Sequence, residues 1–308
     1  MWQIGAVAPL ASRRRDAQCK ESAPAARRDW RHRAGYTARM NPSSIAFIGG
    51  GNMASAIIGG LLKAGRAAAS IQVIEPFDAQ RQALARQFGV GVHEAAGAAL
   101  SGCELVVWAV KPQSFAEAAA PCAAWVSGAL QLSVMAGIRS AAIVAATGSQ
   151  RVVRAMPNTP ALIGQGIAGL YATQAVSDDE RAAVEQVLAP TGRLLWVARE
   201  EDLDAVTAVS GSGPAYVFYV VEAMMQAAVD MGLSSEQGRA LALATVAGAA
   251  ALAEASDESP AVLRERVTSK GGTTHAAISS LEADGVKASF VKALRAAQQR
   301  ARELGEPS

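Results

Sequence analysis

The chain has 308 residues, of which 51% are hydrophobic and 5% aromatic, so it can form one large or two ordinary domains with cores of Ala, Val and Leu. The formal net charge of +2 divides into +6 for residues 1–43 and −4 for residues 44–308. A body of that charge has no electrostatic reason to bind nucleic acid or an acidic membrane. The three cysteines form no CxxC pair, which argues against structural disulfides and a zinc site and predicts a reducing, cytoplasmic location.

The first 43 residues differ from the rest of the chain. They show no strand or helix periodicity, and they contain one run of three and one run of two consecutive arginines. An Arg-rich transit segment or a basic arm would have this composition. We favour a disordered N-terminal extension over residues 1–43, with the functional chain beginning at Met40.

A glycine-rich stretch, IAFIGGGNMASAI, occupies residues 45–57. Gly49-x-Gly51-x-x-Ala54 fits the strand–turn–helix fingerprint of a dinucleotide site, with Ala54 in place of the third glycine. The first glycine would permit a tight turn, the second would admit the pyrophosphate, and the free N–H groups of the following helix would face the anion. Gly-rich turns also join strands to helices where no ligand binds, so the stretch alone is a weak signal.

Apolar runs alternate with helical stretches as far as residue 200. One helix is predicted at about 52–64, and another after Ser177, which is followed by an acidic first turn. This alternation is typical of a sheet wound by right-handed crossovers, so we predict a Rossmann-type, doubly wound parallel α/β domain over residues 44–200. The runs predicted as strands are 45–48, 71–74, 105–110, 130–135, 151–155, 166–171 and 194–197.

The interval 118–138 carries no charged residue and is long enough to raise the question of a membrane span. It contains Pro121, Ser127, Gly128, Gln131 and Ser133. We therefore predict a helix end, a loop and a buried strand there, and no membrane contact.

Residues 201–308 have an all-helical pattern. The run at 241–252 is apolar almost all round, and such a helix has to be buried on every side. We predict that residues 201–308 form a helical dimerisation and substrate domain; the alternative is a helix buried within one chain. The predicted helices are 202–232, 234–255, 259–267, 274–283 and 286–304, with N-caps at Ser234, Ser259 and Thr273.

Three loops carry unexpected polar, glycine or proline residues. The segments 109–113 and 156–160 each follow a strand, where ligands bind in open α/β sheets. In the segment 268–274, two glycines and several hydroxyl residues at a helix start predict a nest of N–H groups for a carboxylate. The alternative is a C-capping glycine followed by an N-capping threonine. Segment 210–214 interrupts a helix, and Pro214 is expected to kink it.

Several kinds of catalytic site are missing from the sequence. It has three histidines, and we find no Ser-His-Asp set, no metal-ligand cluster and no Walker lysine. Reduction of a carbonyl calls for a strong general acid or base, and none is evident. Reduction of an imine needs none, because an iminium already carries the proton and the positive charge.

The chain resembles pyrroline-5-carboxylate reductase, the family that completes proline biosynthesis. The matching stretches cover residues 44–305 and are IAFIGGGNMASAI, AVKPQ, RAMPNTPALIGQG, SGSGPAYVFYVVEAM and VTSKGGTTHAAISSLE. The resemblance implies an N-terminal Rossmann domain, a helical dimerisation domain often assembled into rings of dimers, and reduction of (S)-1-pyrroline-5-carboxylate to L-proline by NADPH or NADH. It implies no metal.

The resemblance also implies the site residues. Thr274 would hydrogen-bond the ring nitrogen and act with Ser269 in catalysis. Residues implied to bind substrate are Ser269, Gly271, Gly272, Thr273 and Thr274. Residues implied to hold the cofactor are Ile48, Gly49, Gly50, Gly51, Asn52, Met53, Ala109, Val110, Lys111 and Pro112, with Val134, Met135, Ala136, Met156, Asn158 and Thr159 beside the nicotinamide.

Two residues depart from the family pattern. Glu75 ends the second strand, where a carboxylate prefers the ribose hydroxyls of NADH and repels a 2′-phosphate. Arg266 stands where relatives often have an uncharged amide, and it would either bind that phosphate or form a surface ion pair. The sequence therefore does not decide between NADPH and NADH.

Two rival functions use the same architecture. One is a 3-hydroxyacid dehydrogenase or a related imine reductase. The dehydrogenase needs a catalytic lysine on an inter-domain helix, and Lys270 lies in a loop instead. A nucleotide sensor without turnover would have no need of the loop at 268–274.

Overall fold

An eight-stranded sheet forms the N-terminal part of the computed structural model, which describes residues 42–306; the predicted extension thus lies almost wholly outside the described residues. The strands are Ile45–Ile48 (β1), Ile71–Ile74 (β2), Gly91–His93 (β3), Leu105–Trp108 (β4), Leu130–Ser133 (β5), Val152–Met156 (β6), Gly166–Ala172 (β7) and Gly192–Trp196 (β8). Their order is β3-β2-β1-β4-β5-β6-β7-β8, and every neighbouring pair is parallel except β6 and β7. The predicted Rossmann-type architecture is confirmed, with β7 as an antiparallel addition and β3 as a strand too short to recognise.

The central strands are buried on both faces, as expected for a sheet covered by helices. In β1, Ile45 and Phe47 belong to one apolar cluster, and Ala46 and Ile48 belong to the other. The register pairs Ile48 with the last residue of β2 and the last residue of β4. The carboxyl ends of these three strands are therefore level, which aligns the loops that follow them.

Helices cover the sheet and, together with short turns and loops, form the rest of the described chain. They are Asn52–Lys63 (α1), Asp78–Phe88 (α2), Phe115–Ala119 (α3), Ala123–Val126 (α4), Ser140–Thr147 (α5), Asp178–Leu188 (α6), Asp202–Val206 (α7), Gly213–Asp230 (α8), Ser235–Ala255 (α9), Pro260–Arg266 (α10), Thr273–Ala283 (α11) and Val286–Gly305 (α12). Ser177, Ser234 and Ser259 cap their helices through side-chain bonds, as predicted. The predicted cap at Thr273 is wrong, because α11 begins at Thr273 and Gly272 is its N-cap.

The helix predicted over 202–232 is divided close to the predicted interruption at 210–214, although the break begins a few residues earlier. Two helices, α7 and α8, are separated by a π-helical turn at Thr207–Gly211. Pro214 lies in the first turn of α8, where its missing N–H costs no hydrogen bond, so it begins a helix instead of kinking one.

The helices after residue 201 leave large apolar surfaces uncovered in one chain. In α9 only Gly238 and Ala242 are buried, and Leu241 and Leu252 are more than half exposed. On α8, Phe218 and Tyr219 are also exposed. The alternative of a helix buried within one chain is therefore wrong, and these faces need a partner.

Two segments of the chain are apolar enough to raise the question of a membrane span: interval 118–138 and α9. Interval 118–138 contains the end of α3, the short α4 and the buried β5, which agrees with the prediction of a helix end, a loop and a strand. Within residues 42–306, α9 is the one helix long and apolar enough to cross a membrane by length and composition.

Candidate active site

The loops predicted to hold the cofactor all follow strands at the carboxyl edge of the sheet. The glycine turn follows β1, Ala109 follows β4, Val134 follows β5 and Pro157 follows β6. The chain reverses its direction of winding between β1 and β4, and ligands of open α/β folds bind at such a switch point. The structure thus brings the predicted cofactor residues together along one edge.

The glycine turn closes tightly against the loop after β4. Gly49 has a φ of +92°, and a Cβ there would lie 2.8 Å from the carbonyl oxygen of Ala109. Gly50 has no room either, since its Cβ would lie 2.4 Å from Leu84 Cδ1. Gly51 differs: no atom lies within 4 Å of its Cβ position, and its φ of −71° is ordinary. A ligand can therefore approach the backbone at Gly51.

The start of α1 fits the pyrophosphate of a dinucleotide. Among the described residues, nothing accepts a hydrogen bond from the N–H groups of residues 51–54. Gly51 is the N-cap and offers no side chain, and the first turn has no acidic residue. These free donors and the positive end of the helix dipole are what an anion requires.

Glu75 fills the space between β2 and the glycine turn. Its carboxylate accepts bonds from Gly50 N–H to Oε2 (2.9 Å) and from Phe77 N–H to Oε1 (3.0 Å). The residue is 6% exposed. Two backbone donors therefore fix the carboxylate at the end of β2, where the adenine-side ribose of a dinucleotide lies in this fold.

The predicted nicotinamide wall comes from two neighbouring strand ends. Val134 N–H donates to the carbonyl of Trp108 (3.1 Å), and Met135 is buried. Asn158 bridges two elements: its Nδ2 donates to the carbonyl of Ser210 (3.2 Å), and its Oδ1 accepts from Ile167 N–H (3.0 Å). Asn158 thus ties the loop after β6 to the π-helical turn.

A buried charge network joins the sheet to α7. Arg139 Nη2 lies 2.8 Å from Asp204 Oδ2, and Arg154 Nη1 lies 2.7 Å from Glu200 Oε1. Ser140 donates to Glu200 through its N–H (2.7 Å) and its hydroxyl (2.6 Å). Sequence reasoning missed these residues; the available signal was the Arg inside the apolar strand VVRAM, since a buried charge requires a partner.

The pKa values in this network follow from burial and pairing. Burial raises the pKa of Glu200, but the hydrogen bonds from Ser140 and the Arg154 guanidinium outweigh it and hold the pKa below its usual range. Burial lowers the pKa of Arg154, and Glu200 offsets part of that effect. The end of α12 packs on the same region, because a Cβ at Gly305 would lie 2.7 Å from Arg139 Nε.

The loop at 268–274 has the backbone of an anion nest. Gly271 has a φ of +76°, and Gly272 caps α11 without a side chain. Within the described residues, nothing accepts from the N–H groups of Gly271, Thr273 and Thr274, and the hydroxyls of Ser269, Thr273 and Thr274 make no hydrogen bond. The alternative of an N-capping threonine is thereby excluded, and the donors stay available for a ligand.

In a single chain the nest and the sheet edge are not joined. Outside the internal bonds of α11, every hydrogen bond made by residues 268–274 goes to residues 264–276. Ser269, Gly271 and Thr273 are exposed. The predicted substrate residues thus form one group, and the predicted cofactor residues form another.

Arg266 forms an ion pair with Glu258. Its Nη2 lies 2.5 Å from Glu258 Oε1, and its side chain is largely exposed. Of the two alternatives for this residue, the structure has the ion pair. Residues 42–306 contain no group of three or more His, Cys, Asp or Glu side chains arranged to hold a metal.

Two family models match the chain. One, described as "Pyrroline-5-carboxylate reductase dimerisation", matches residues 200–304, and the other, "NADP oxidoreductase coenzyme F420-dependent", matches residues 44–137. The first covers the helices whose apolar faces are exposed, so the chain forms a homo-oligomer.

Named relatives match almost their whole length. Pyrroline-5-carboxylate reductase of Pseudomonas aeruginosa is 46% identical over 271 residues, which are 87% of this chain and 98% of the relative. A solved pyrroline-5-carboxylate reductase of Coxiella burnetii is 36% identical with a TM-score of 0.81, over 87% of this chain and 100% of that chain. Pyrroline carboxylate reductase of Plasmodium falciparum, solved with NADP bound, is 27% identical with a TM-score of 0.78 over the same shares. With its glycine turn at a switch point and its exposed helical faces, the chain belongs to the pyrroline-5-carboxylate reductase family.

Proposed function

We propose that this protein reduces (S)-1-pyrroline-5-carboxylate to L-proline with NAD(P)H, as the last step of proline biosynthesis. The observation that carries the proposal is the set of N–H and hydroxyl donors within residues 269–274 that bond to nothing in the described part of the chain. A nucleotide sensor would need the glycine turn but not a second anion site.

The glycine turn holds the cofactor in this proposal. The N–H groups of residues 51–54 bind the pyrophosphate, and the loops after β4, β5 and β6 line the rest of the cofactor. Bound NAD(P)H supplies the hydride. The Asn158 side chain and the Arg139–Asp204 pair keep the wall beside the nicotinamide in place.

The nest holds the substrate. The free N–H groups of Gly271 and Thr273 bind the carboxylate, which lies against Gly272, and Thr274 hydrogen-bonds the ring nitrogen beside Ser269. The protonated imine carries the positive charge that attracts hydride at its carbon, and the nitrogen keeps its proton to become the amine of proline. The protein's contribution is therefore positioning, without a general acid.

A second copy of the chain completes the assembly. The nest shares no hydrogen bond with the sheet edge of its own chain, and the apolar faces of α8 and α9 need a partner. We propose that a dimer brings nest and cofactor together, that dimers associate further into a ring, and that the enzyme works in the cytoplasm.

The test is an assay of the purified protein with pyrroline-5-carboxylate and each nicotinamide in turn. Thr274→Val is expected to lower kcat about 10²-fold or more, because the substitution removes a positioning contact, while the Kd of the cofactor stays near normal. Thr268→Val is the matched control: its hydroxyl bonds the carbonyl of Arg264 (2.6 Å), outside the proposed set. No proline formation by the wild type would refute the proposal, and unchanged turnover in Thr274→Val would remove that residue from the mechanism.

A further inference from the structure

The turn between β2 and α2 carries an unusual balance of charge for a site that would face the adenine-side ribose. The turn and the first residue of α2 read Glu75-Pro76-Phe77-Asp78, with two carboxylates and no cation. We infer that this chain binds NADH in preference to NADPH, with Glu75 as the residue that sets the preference. The inference rests on the proposed function, since it assumes that the glycine turn holds a nicotinamide dinucleotide.

Glu75 is held so that it cannot easily move out of the way. It is 6% exposed and bonded by the N–H groups of Gly50 and Phe77, at 2.9 and 3.0 Å. Each carboxylate oxygen can accept a second hydrogen bond. The two ribose hydroxyls of NADH can supply such donors, whereas the 2′-phosphate of NADPH supplies only acceptors and negative charge.

The nearest cation in the chain does not compensate. Arg81 is the first Lys or Arg after Glu75, and its Nη1 donates to the carbonyls of Glu75 (2.9 Å) and Pro76 (2.7 Å). Its Nη2 lies 3.2 Å from Asp78 and 3.5 Å from Glu94. The guanidinium thus already contacts four acceptors: two carbonyl oxygens of the turn and two carboxylates.

Two other cations, Arg266 and Lys111, do not belong to the β2–α2 turn. Arg266 is paired with Glu258 after α9, not with the β2–α2 turn. Lys111 follows β4, which lies on the opposite side of β1 from β2. The preference is not carried over from relatives either, since the Plasmodium falciparum protein was solved with NADP bound.

The physical basis is a difference between two ligands at one fixed carboxylate. A hydrogen bond to a charged group that only NADH can make is worth about tenfold to a hundredfold in affinity. Bringing the 2′-phosphate to the same oxygens adds like-charge repulsion, which low dielectric near a buried group strengthens. Both effects act in the same direction.

The experiment measures the Kd of NADH and of NADPH for the full chain by calorimetry, without substrate and at one ionic strength. We expect the wild type to bind NADH at least about tenfold more tightly. Glu75→Ser is expected to remove the preference, by strengthening NADPH binding and weakening NADH binding. Glu94→Gln is the matched control, because it removes a carboxylate beside Arg81 that is 77% exposed; its ratio of Kd values should equal that of the wild type. Glu75→Gln keeps the size of the side chain and replaces Glu75→Ser if that variant does not fold.

The outcomes separate this inference from the proposed function. Equal or tighter NADPH binding by the wild type, or a preference that persists in the Glu75 variants, would overturn the inference even if proline is formed. A preference for NADH that Glu75→Ser abolishes would support it even if pyrroline-5-carboxylate is not reduced. Failure to bind either nucleotide would overturn both.

Discussion

Gly51→Ala should separate binding from folding, because Gly51 is the one residue of the glycine turn whose Cβ position is open. Its φ is −71° and no atom lies within 4 Å, so the methyl group meets no protein. Alanine in such a conformation stabilises a protein by about 0.4–1 kcal/mol through the unfolded chain, and this gain offsets the loss that comes from replacing glycine by alanine at an N-cap. The same methyl group would occupy the space through which a pyrophosphate reaches the N–H groups of α1.

Gly65, beyond the other end of α1, and Gly49, in the same turn, provide the comparison. Gly65→Ala is the control for backbone strain, since Gly65 has a φ of +93° and nothing within 4 Å. We expect it to destabilise by about 1 kcal/mol with cofactor binding unchanged. Gly49→Ala combines the same strain at φ +92° with an overlap at 2.8 Å from the Ala109 carbonyl, which overpacks the turn by a further 1–3 kcal/mol or so.

The assay combines urea unfolding at a fixed protein concentration with the Kd of NADH and NADPH. Gly51→Ala should be about as stable as the wild type. It should bind either nucleotide about tenfold to a hundredfold more weakly, since each lost hydrogen bond to a charged phosphate is worth about 1.5–3 kcal/mol. Unchanged affinity in Gly51→Ala would show that the open space beside this residue does not receive the phosphates. A large loss of stability would contradict the geometry of the turn itself.

Three further predictions follow from other parts of the chain. Glu200→Gln should cost about 3 kcal/mol at pH 7 by leaving Arg154 poorly compensated. Folding lowers the pKa of Glu200, so the charged carboxylate stabilises the wild type above its ordinary pKa of about 4.3. This stabilisation should disappear as the pH falls from that value through the folded-state pKa, and the urea unfolding curves of wild type and variant should then converge. A stability difference that does not change with pH would refute the linkage. Asn158→Ala should lower kcat and cost about 1–2 kcal/mol of stability, measured by steady-state kinetics and urea unfolding, because Ser210 and Ile167 lose their partner. Deleting residues 1–39 should leave turnover unchanged, and loss of activity on deletion would refute the extension hypothesis.

The sequence revealed those features that depend on neighbouring residues. The glycine turn, the apolar strands and the caps at Ser177, Ser234 and Ser259 are local patterns, and all are present as expected. The cap of α11 was misassigned for a local reason as well. Glycine and threonine are both accepted at an N-cap, so two of them in succession leave the boundary undecided.

Features that depend on residues far apart in the chain were not predictable. The partner of Arg154 is Glu200, and the partner of Asn158 is the carbonyl of Ser210, a backbone atom that any residue supplies. The antiparallel pairing of β7 is likewise set by where the chain returns to the sheet. The role of Arg266 was open because its neighbour Glu258 becomes a partner only once the segment before α10 has folded.

The wall beside the proposed nicotinamide site is built from both parts of the chain, and this bears on how the enzyme is assembled. A Cβ at Gly137 would lie 2.8 Å from the carbonyl of Leu304, so the end of α12 presses directly on the loop after β5. Arg139, in the same loop, is paired with Asp204 of α7. These contacts make the shape of the proposed cofactor site depend on α7 and α12, which lie in the same helical part of the chain as the exposed faces of α8 and α9. We therefore expect that any shift of α12 on association of two chains would change the position of the loop after β5.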